Sequence, residues 1–400
     1  MTSRNQKKVN EQKDDGYKAA LLKAQTVDTF VTKICESWSR IRDEQEEPPP
    51  QGTLFDRLKQ DNTFINLTNF PETKIVEISR LCDPIWLQQR GRGPKPKVSL
   101  IDSVIIALIY YKTGQEVSSL GPLLEIKENT FREVLKRIRP VLLKALTTKW
   151  WENRIRPHPL ADTNFPFVGL LVDVNLQEPF RPKTRFEEAK IYWDDHNKAY
   201  GVKKTVAILA NDPYYAMFSL PGEVGSYHDY EIFKQQYQQL VPYLQKQEQE
   251  KQLIATDRNE LWAVLGDSGY SGPDSDTTGL RRIFIKRPEV VEEDRVSNHE
   301  KAKIRVKIEQ FFGCQEKLWT LTAKTYRNSH KTLDADFDIS ILLTNEHIAV
   351  NEEANKLVDA DRDFHLALSE SRLRRFSSDE RKRKAQQQKY TAKRRRLNGY

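Results

Sequence analysis

Apolar positions along this chain change period near its middle. Up to about residue 146 they recur at helical spacing, and from 167 onward they gather into short runs. Residues 16–43 place Leu21, Leu22, Val27, Phe30, Val31, Ile34, Trp38 and Ile41 at roughly helical intervals, which predicts a helix. The stretch Glu46-Glu-Pro-Pro-Pro-Gln-Gly52 ends it and reads as a linker. A second helical pattern covers about 71–90. The basic segment Arg90-Gly-Arg-Gly-Pro-Lys-Pro-Lys97 follows, either a solvated hinge or an arm of the kind that enters a narrow minor groove. Three helices come next. Residues 100–113 are largely apolar and predict burial, residues 115–124 form a short helix, and a longer one opens at Thr130. Thr130 and Glu133 have capping-box spacing, and Phe131, Val134, Leu135 and Ile138 make one stripe. Pro140 is expected to kink or divide that helix.

From 167 the pattern predicts strands at 167–173, 203–210 and 214–220, the last two joined through Asn211-Asp-Pro213 as a hairpin. An amphipathic helix is expected over 230–246, and strands over 261–265 and 280–286. A mobile acidic stretch should cover 289–301, a long helix about 299–318, a strand 338–343, and helix 345–375. Three strands, a helix, more strands and a helix is the order of a ribonuclease-H-like α/β domain. The expected organisation is a polar and helical N-terminal segment with linker (1–52), a helical region (53–150), an α/β domain (165–345), a helical extension (346–380) and a basic disordered tail (381–400).

Charge sharpens this picture. Helix, turn and a second helix carrying Arg132, Lys136, Arg137 and Arg139 is the plan of a helix-turn-helix, whose second helix can enter a major groove. A plain bundle with a solvated basic face fits the same residues. The net charge is +8, which matters less than its placement. The tail 381–400 holds nine Lys or Arg and no acid. Its clusters, Arg381-Lys-Arg-Lys384 and Lys393-Arg-Arg-Arg396, have the form of a bipartite nuclear-import signal and would also bind phosphate non-specifically. The expected location is therefore the nucleus. Three widely spaced cysteines, Cys35, Cys82 and Cys314, argue against a disulfide framework or a zinc module. The charged start lacks the apolar stretch of a signal peptide, and the longest apolar stretch is too short to span a bilayer, so no membrane association is expected.

The candidate chemistry lies at three carboxylates. The run Phe167-Val-Gly-Leu-Leu-Val-Asp173 delivers a charge at the end of a buried strand, costly unless something pairs with it. Val264-Leu-Gly-Asp267-Ser-Gly-Tyr270 and the helical Arg305-Val-Lys-Ile-Glu309-Gln-Phe-Phe312 each offer another acid beside an apolar element. Taken singly, each is an ordinary strand-end or helix residue. If Asp173, Asp267 and Glu309 converge, they suit a pair of divalent ions, Mg²⁺ or Mn²⁺, flanking a scissile phosphate. His228 and Asp229 open a helix after a Gly/Ser loop, where Asp229 would serve as N-cap and His228 as a supporting group. Tyr192, Trp193, Lys203 and Lys204 either contact a nucleic-acid backbone or pack the hairpin. Neither a Walker-type glycine loop nor an H-E-x-x-H zinc motif is present.

In these blocks the chain resembles DDE-superfamily endonucleases and transposases, specifically the Harbinger-type group. The matching stretches are Val172-Asp-Val-Asn175 with Arg181-Pro-Lys183; Tyr192 through Lys204; Gly222 through Phe233 with its His-Asp pair; Leu265-Gly-Asp-Ser-Gly-Tyr270; and Arg305 through Trp319. The resemblance covers about 165–345, with helices 98–146 resembling the helix-turn-helix that precedes this domain. It implies catalytic and metal-binding roles for Asp173, Asp267 and Glu309. It further implies cleavage of double-stranded DNA followed by strand transfer, a homo-oligomer on DNA, and room for a separate DNA-binding partner protein. Two other readings share the fold: a domesticated, catalytically inactive DNA-binding protein, and a structure-specific nuclease. Departures from the family pattern are Val174 and Asn175 after the first acid, and Glu316 where a base is common. None of them is a metal ligand.

Overall fold

The computed structural model describes residues 52–89, 96–153, 155–178, 189–195, 197–270, 280–285, 291–323 and 325–350. The expected helix at 16–43, most of both linkers, Arg181-Pro-Lys183, residues 351–380 of the expected extension and the tail 381–400 lie outside them.

The chain is mixed α/β, with a helical N-terminal region and a mixed sheet. Two short helices absent from the sequence expectations open it, α1 (Leu54–Gln60) and α2 (Phe64–Thr68). Thr53 caps α1 in a reciprocal box with Asp56. Next come α3 (Glu72–Gln88), α4 (Leu100–Thr113), α5 (Val117–Leu123) and α6 (Glu128–Thr147). α4 is apolar nearly all round and is buried accordingly. Ser99 caps its start, and Gly114 at φ +60° ends it. α6 departs from expectation at two points. It begins at Glu128 after Lys127, so Thr130 lies inside the first turn and makes no cap, and it runs through Pro140 undivided.

The sheet runs in the order β5-β4-β1-β7-β8: Ala216–Ser219, Val202–Leu209, Val168–Gln177, Ala263–Gly266 and Arg282–Phe284. A short β6 (Glu223–Val224) extends β4. β4 and β5 form the expected antiparallel hairpin, β1 lies antiparallel to β4, and β1, β7 and β8 are parallel. A two-residue ladder, β2 (Trp193–Asp194) with β3 (Ala199–Tyr200), precedes β4.

Three expectations in this half are corrected. The stretch 338–343 is no strand but part of α12 (His330–Val350). A short apolar run reads alike for a strand and for a helix buried on all sides, and length decides for the helix. The expected boundary at 345 therefore falls inside a helix. Residues 292–301 are not a mobile stretch but the start of α10 (Glu292–Leu318), whose first turn places Glu292, Glu293 and Asp294 on the positive end of the helix dipole. The single helix at 230–246 is broken into α7 (Asp229–Gln236), a tight turn at Tyr237–Gln239 and α8 (Val241–Leu244), which carries Pro242 in its first turn. Among the described residues there are also two short helices, α9 (Glu248–Lys251) and α11 (Thr320–Ala323).

One apolar cluster joins the N-terminal helices to a face of the sheet. It runs from Leu58, Ile106 and Ile138 through Phe337 and Leu342 to Leu171, Leu265, Ile308 and Phe312. A second cluster, with Val172, Val264, Phe233 and Tyr270, fills the other face. Among the described residues no helix is long and apolar enough to cross a membrane.

Candidate active site

Strand register brings the first two acids together. Leu171 pairs with Leu265 across the parallel strands β1 and β7, and Asp173 and Asp267 each follow two residues later. Neighbouring strands lie about 4.8 Å apart, so the two carboxylates stand side by side, Asp267 just past the C-terminal end of β7 and Asp173 within β1, which runs on to Gln177. α10 packs its Ile308 and Phe312 into the cluster that holds Leu171 and Leu265. That docking presents Arg305 and Glu309 to the same corner.

Asp173 is set more deeply than Glu309. Its Oδ1 accepts from the Val174 backbone N–H at 3.0 Å, and its Oδ2 from Arg305 Nη1 at 3.0 Å. Arg305 Nη2 donates to Glu309 Oε1 at 2.6 Å. Burial pushes the Asp173 carboxyl up to about 6; Arg305 and the Val174 N–H oppose the shift, while the charges of Asp267 and Glu309 add to it. Asp267 Oδ1 accepts from the Gly269 N–H at 2.7 Å. A Cβ on Gly269 would stand 3.0 Å from Asp267 Oδ1, a tight contact, and 3.6 Å from Asp229 Oδ2. Asp229 therefore flanks Asp267 across this glycine as a fourth acid of the corner. It is the first residue of α7, while His228 is the N-cap, its Nδ1 accepting from the Tyr230 N–H at 3.3 Å. Tyr270 is buried one turn after Asp267. Its hydroxyl has no hydrogen-bond partner among the described residues and feels the charges of Asp173, Asp229 and Asp267, which with burial push it well above the ordinary phenol range.

These groups suit a divalent cation in kind: hard oxygen donors, crowded enough that like charges raise one another. As they stand, no three acidic, histidine or cysteine side chains among the described residues are gathered closely enough to hold one. Arg305 is the cation between Asp173 and Glu309.

The proposed DNA-contacting residues separate into two groups. Arg132 is exposed and paired with Glu128 at 2.6 Å, and Lys136 is exposed. Arg137 lies over the Trp86 ring at 5.2 Å, and Arg139 is turned inward onto Asp336. Lys203 and Lys204 are buried. Lys203 pairs with Asp229 at 3.0 Å, and Lys204, 1% exposed, with Asp334 at 3.0 Å and Asp338 at 3.1 Å. Both are internal counter-ions, which takes them off any nucleic-acid surface. Trp193 packs on Tyr200 and Tyr192 on His330, so packing is what the aromatics of that block do.

Sequence reasoning gave no role to Arg305, Gly269 or Tyr270. The Arg305–Glu309 spacing of one helical turn was the available signal for the first.

The stretch from Asp173 to Asn345 matches the family model of the DDE superfamily endonuclease over residues 173–345. This segment belongs to the DDE superfamily of endonucleases. The match begins at Asp173 itself and includes Asp267 and Glu309, so the DDE segment contains every acid of the corner, Asp229 among them. No curated protein and no solved structure matches the chain.

Proposed function

We propose that the protein is a DNA endonuclease of the transposase type, with Asp173, Asp267 and Glu309 as the carboxylates that hold two divalent ions, Mg²⁺ or Mn²⁺. One observation carries the reading: Asp173 within β1 and Asp267 just after β7 each lie two residues past the paired Leu171 and Leu265 of these adjacent parallel strands, beneath the helix that bears Glu309. The sheet order, antiparallel on one side of β1 and parallel on the other, supports a ribonuclease-H-like assignment.

Bound there, divalent ions supply an activated water or sugar hydroxyl and neutralise the leaving oxygen of the phosphodiester. The protein's own groups aim the ligands. The Gly269 N–H fixes one oxygen of Asp267, and the Val174 N–H fixes one of Asp173, whose other oxygen is held by Arg305. Lys203 holds Asp229 and donates to the Tyr227 carbonyl, tying β4 to the start of α7. The helices α4, α5 and α6 are the proposed helix-turn-helix, in which Arg132 and Lys136 remain as phosphate contacts. The tail 381–400 would carry the protein to the nucleus. The complete acid set favours an active enzyme over a domesticated one.

The test is nicking of DNA that carries the element's ends. Wild type with Mg²⁺ should nick and then join the freed 3′ end to target DNA. Asp267→Asn should stop both while DNA affinity stays within about twofold, a difference of roughly 0.4 kcal/mol. Unimpaired nicking by that variant would sink the assignment. Nicking without joined products would reduce the protein to a plain nuclease.

A further inference from the structure

We propose that Arg305 is a built-in counter-ion that holds Asp173 and Glu309 away from metal, so that loading the site requires its guanidinium to release them. The inference rests on the metal-site reading above and concerns what stands in that site's way.

The geometry is a single fork. Two terminal nitrogens of one guanidinium reach two different carboxylates, Asp173 Oδ2 at 3.0 Å and Glu309 Oε1 at 2.6 Å. Asp173 thereby has both oxygens engaged, Oδ1 by the Val174 N–H and Oδ2 by Arg305. Two of the three proposed ligands are thus committed to a cation already present. A guanidinium cannot lose its proton, so it cannot step aside by neutralising. It must move, and a metal arriving beside it meets a like charge.

The two halves of the fork differ in strength. The Arg305 and Asp173 side chains are 17% and 19% exposed, while Glu309 is 52% exposed and lies one helical turn away on the same helix. An ion pair with a half-exposed partner is worth little. Glu309 therefore parts first, and Asp173 keeps its cation until something else can take the guanidinium. The substrate offers that: a DNA phosphate presents two oxygens to the same planar fork. Metal loading is then coupled to DNA arrival, and by linkage DNA tightens metal binding as much as metal tightens DNA binding.

A latch that is closed in about nine molecules of ten weakens apparent metal affinity about tenfold. The full chain is titrated with Mn²⁺ alone, without DNA, and free Mn²⁺ is read by electron paramagnetic resonance. Arg305→Gln should bind Mn²⁺ roughly tenfold more tightly than wild type, and a short DNA duplex should tighten wild type while adding little to the variant. Arg305→Lys, which keeps one charge but cannot span both carboxylates, serves if the glutamine variant fails to fold, and should bind more tightly than wild type. Equal or weaker binding by the folded variants, with wild type binding measurably, overturns the latch and leaves the metal site standing. If neither wild type nor any variant binds Mn²⁺ with or without DNA, the metal site itself is wrong.

Discussion

Arg139 and Asp336, 197 residues apart in sequence, form a two-pronged ion pair, Nε to Oδ1 at 2.5 Å and Nη2 to Oδ2 at 3.2 Å. Asp336 is fully buried and also accepts from the hydroxyls of Tyr111 and Tyr326, at 2.5 Å and 2.6 Å. The pair joins α6 to α12 and so ties the N-terminal helices to the segment matched by the endonuclease family. Replacing Arg139 with Met leaves a buried carboxylate held only by neutral donors. The expected loss is about 3 kcal/mol, read as a lower urea midpoint. DNA affinity of the folded variant should keep its salt dependence, because Arg139 faces inward. A reduced salt slope at unchanged stability would restore it to the DNA-contacting surface.

Arg132 and Lys136 carry the opposite expectation. Both are exposed on α6. If this helix tracks DNA phosphates, removing both cations should flatten log affinity against log salt by about 1.8, roughly 0.9 for each contact. Stability should change by less than about 0.5 kcal/mol, as for surface substitutions generally. Lys204→Met is the internal control. It strands Asp334 and Asp338, so it should destabilise without touching the slope. An unchanged slope in the Arg132/Lys136 double variant would remove α6 from the DNA interface.

What the sequence made legible follows from locality. The apolar run before Asp173 and the hairpin with its turn residues are local signals, and both form strands. The expected end at Asp173 is overturned: β1 continues to Gln177, because residues 173–177 go on pairing with β4, a partner the run alone does not reveal. The three acids were also legible as types in order. Their company was not. Lys204 reads as a basic residue beside a strand until Asp334 and Asp338, more than a hundred residues on, are folded against it. The helix α12 was misread at 338–343 because burial on all sides erases the period that separates helix from strand. Its buried acids, Asp336 and Glu346, were the clue. Each answers cations and donors on the N-terminal helices, for Glu346 Lys74 and the Trp150 indole.

His347 gives that junction a pH dependence. Its Nδ1 lies 3.3 Å from the Asn69 carbonyl, and its ring meets Phe70 edge-on at 6.2 Å. Burial lowers its pKa below the ordinary 6.5 and Lys112 lowers it further, against the hydrogen bond to Asn69. Protonation is thus harder in the folded state than in the unfolded one. The stability this contributes is complete above pH 6.5 and is lost as pH falls through the lower, folded value. His347→Asn, which keeps a donor near the Asn69 carbonyl, should flatten the dependence of the urea midpoint on pH below that point. A slope unchanged from wild type would place the titration elsewhere.

Tyr270 is the remaining group whose role the corner leaves to be read. Its ring is held by Phe233 edge-on at 5.5 Å and by Phe284 stacked at 6.0 Å, so its position is fixed by packing rather than by its hydroxyl. The hydroxyl is buried without a partner, next to the charges of Asp173, Asp229 and Asp267. An unsatisfied buried donor costs about 1–3 kcal/mol, so Tyr270→Phe should leave stability equal or slightly higher in the metal-free protein. A hydroxyl that orients a ligating carboxylate contributes roughly 10–100-fold to metal affinity or activity. If this unpartnered hydroxyl takes up that role once the acids hold metal, the variant should fold normally, bind DNA as wild type does, and nick it at least tenfold more slowly at limiting Mn²⁺, with the deficit shrinking as Mn²⁺ is raised. Nicking at the wild-type rate across the Mn²⁺ series, with stability raised, would mean that the hydroxyl faces the acids without serving them.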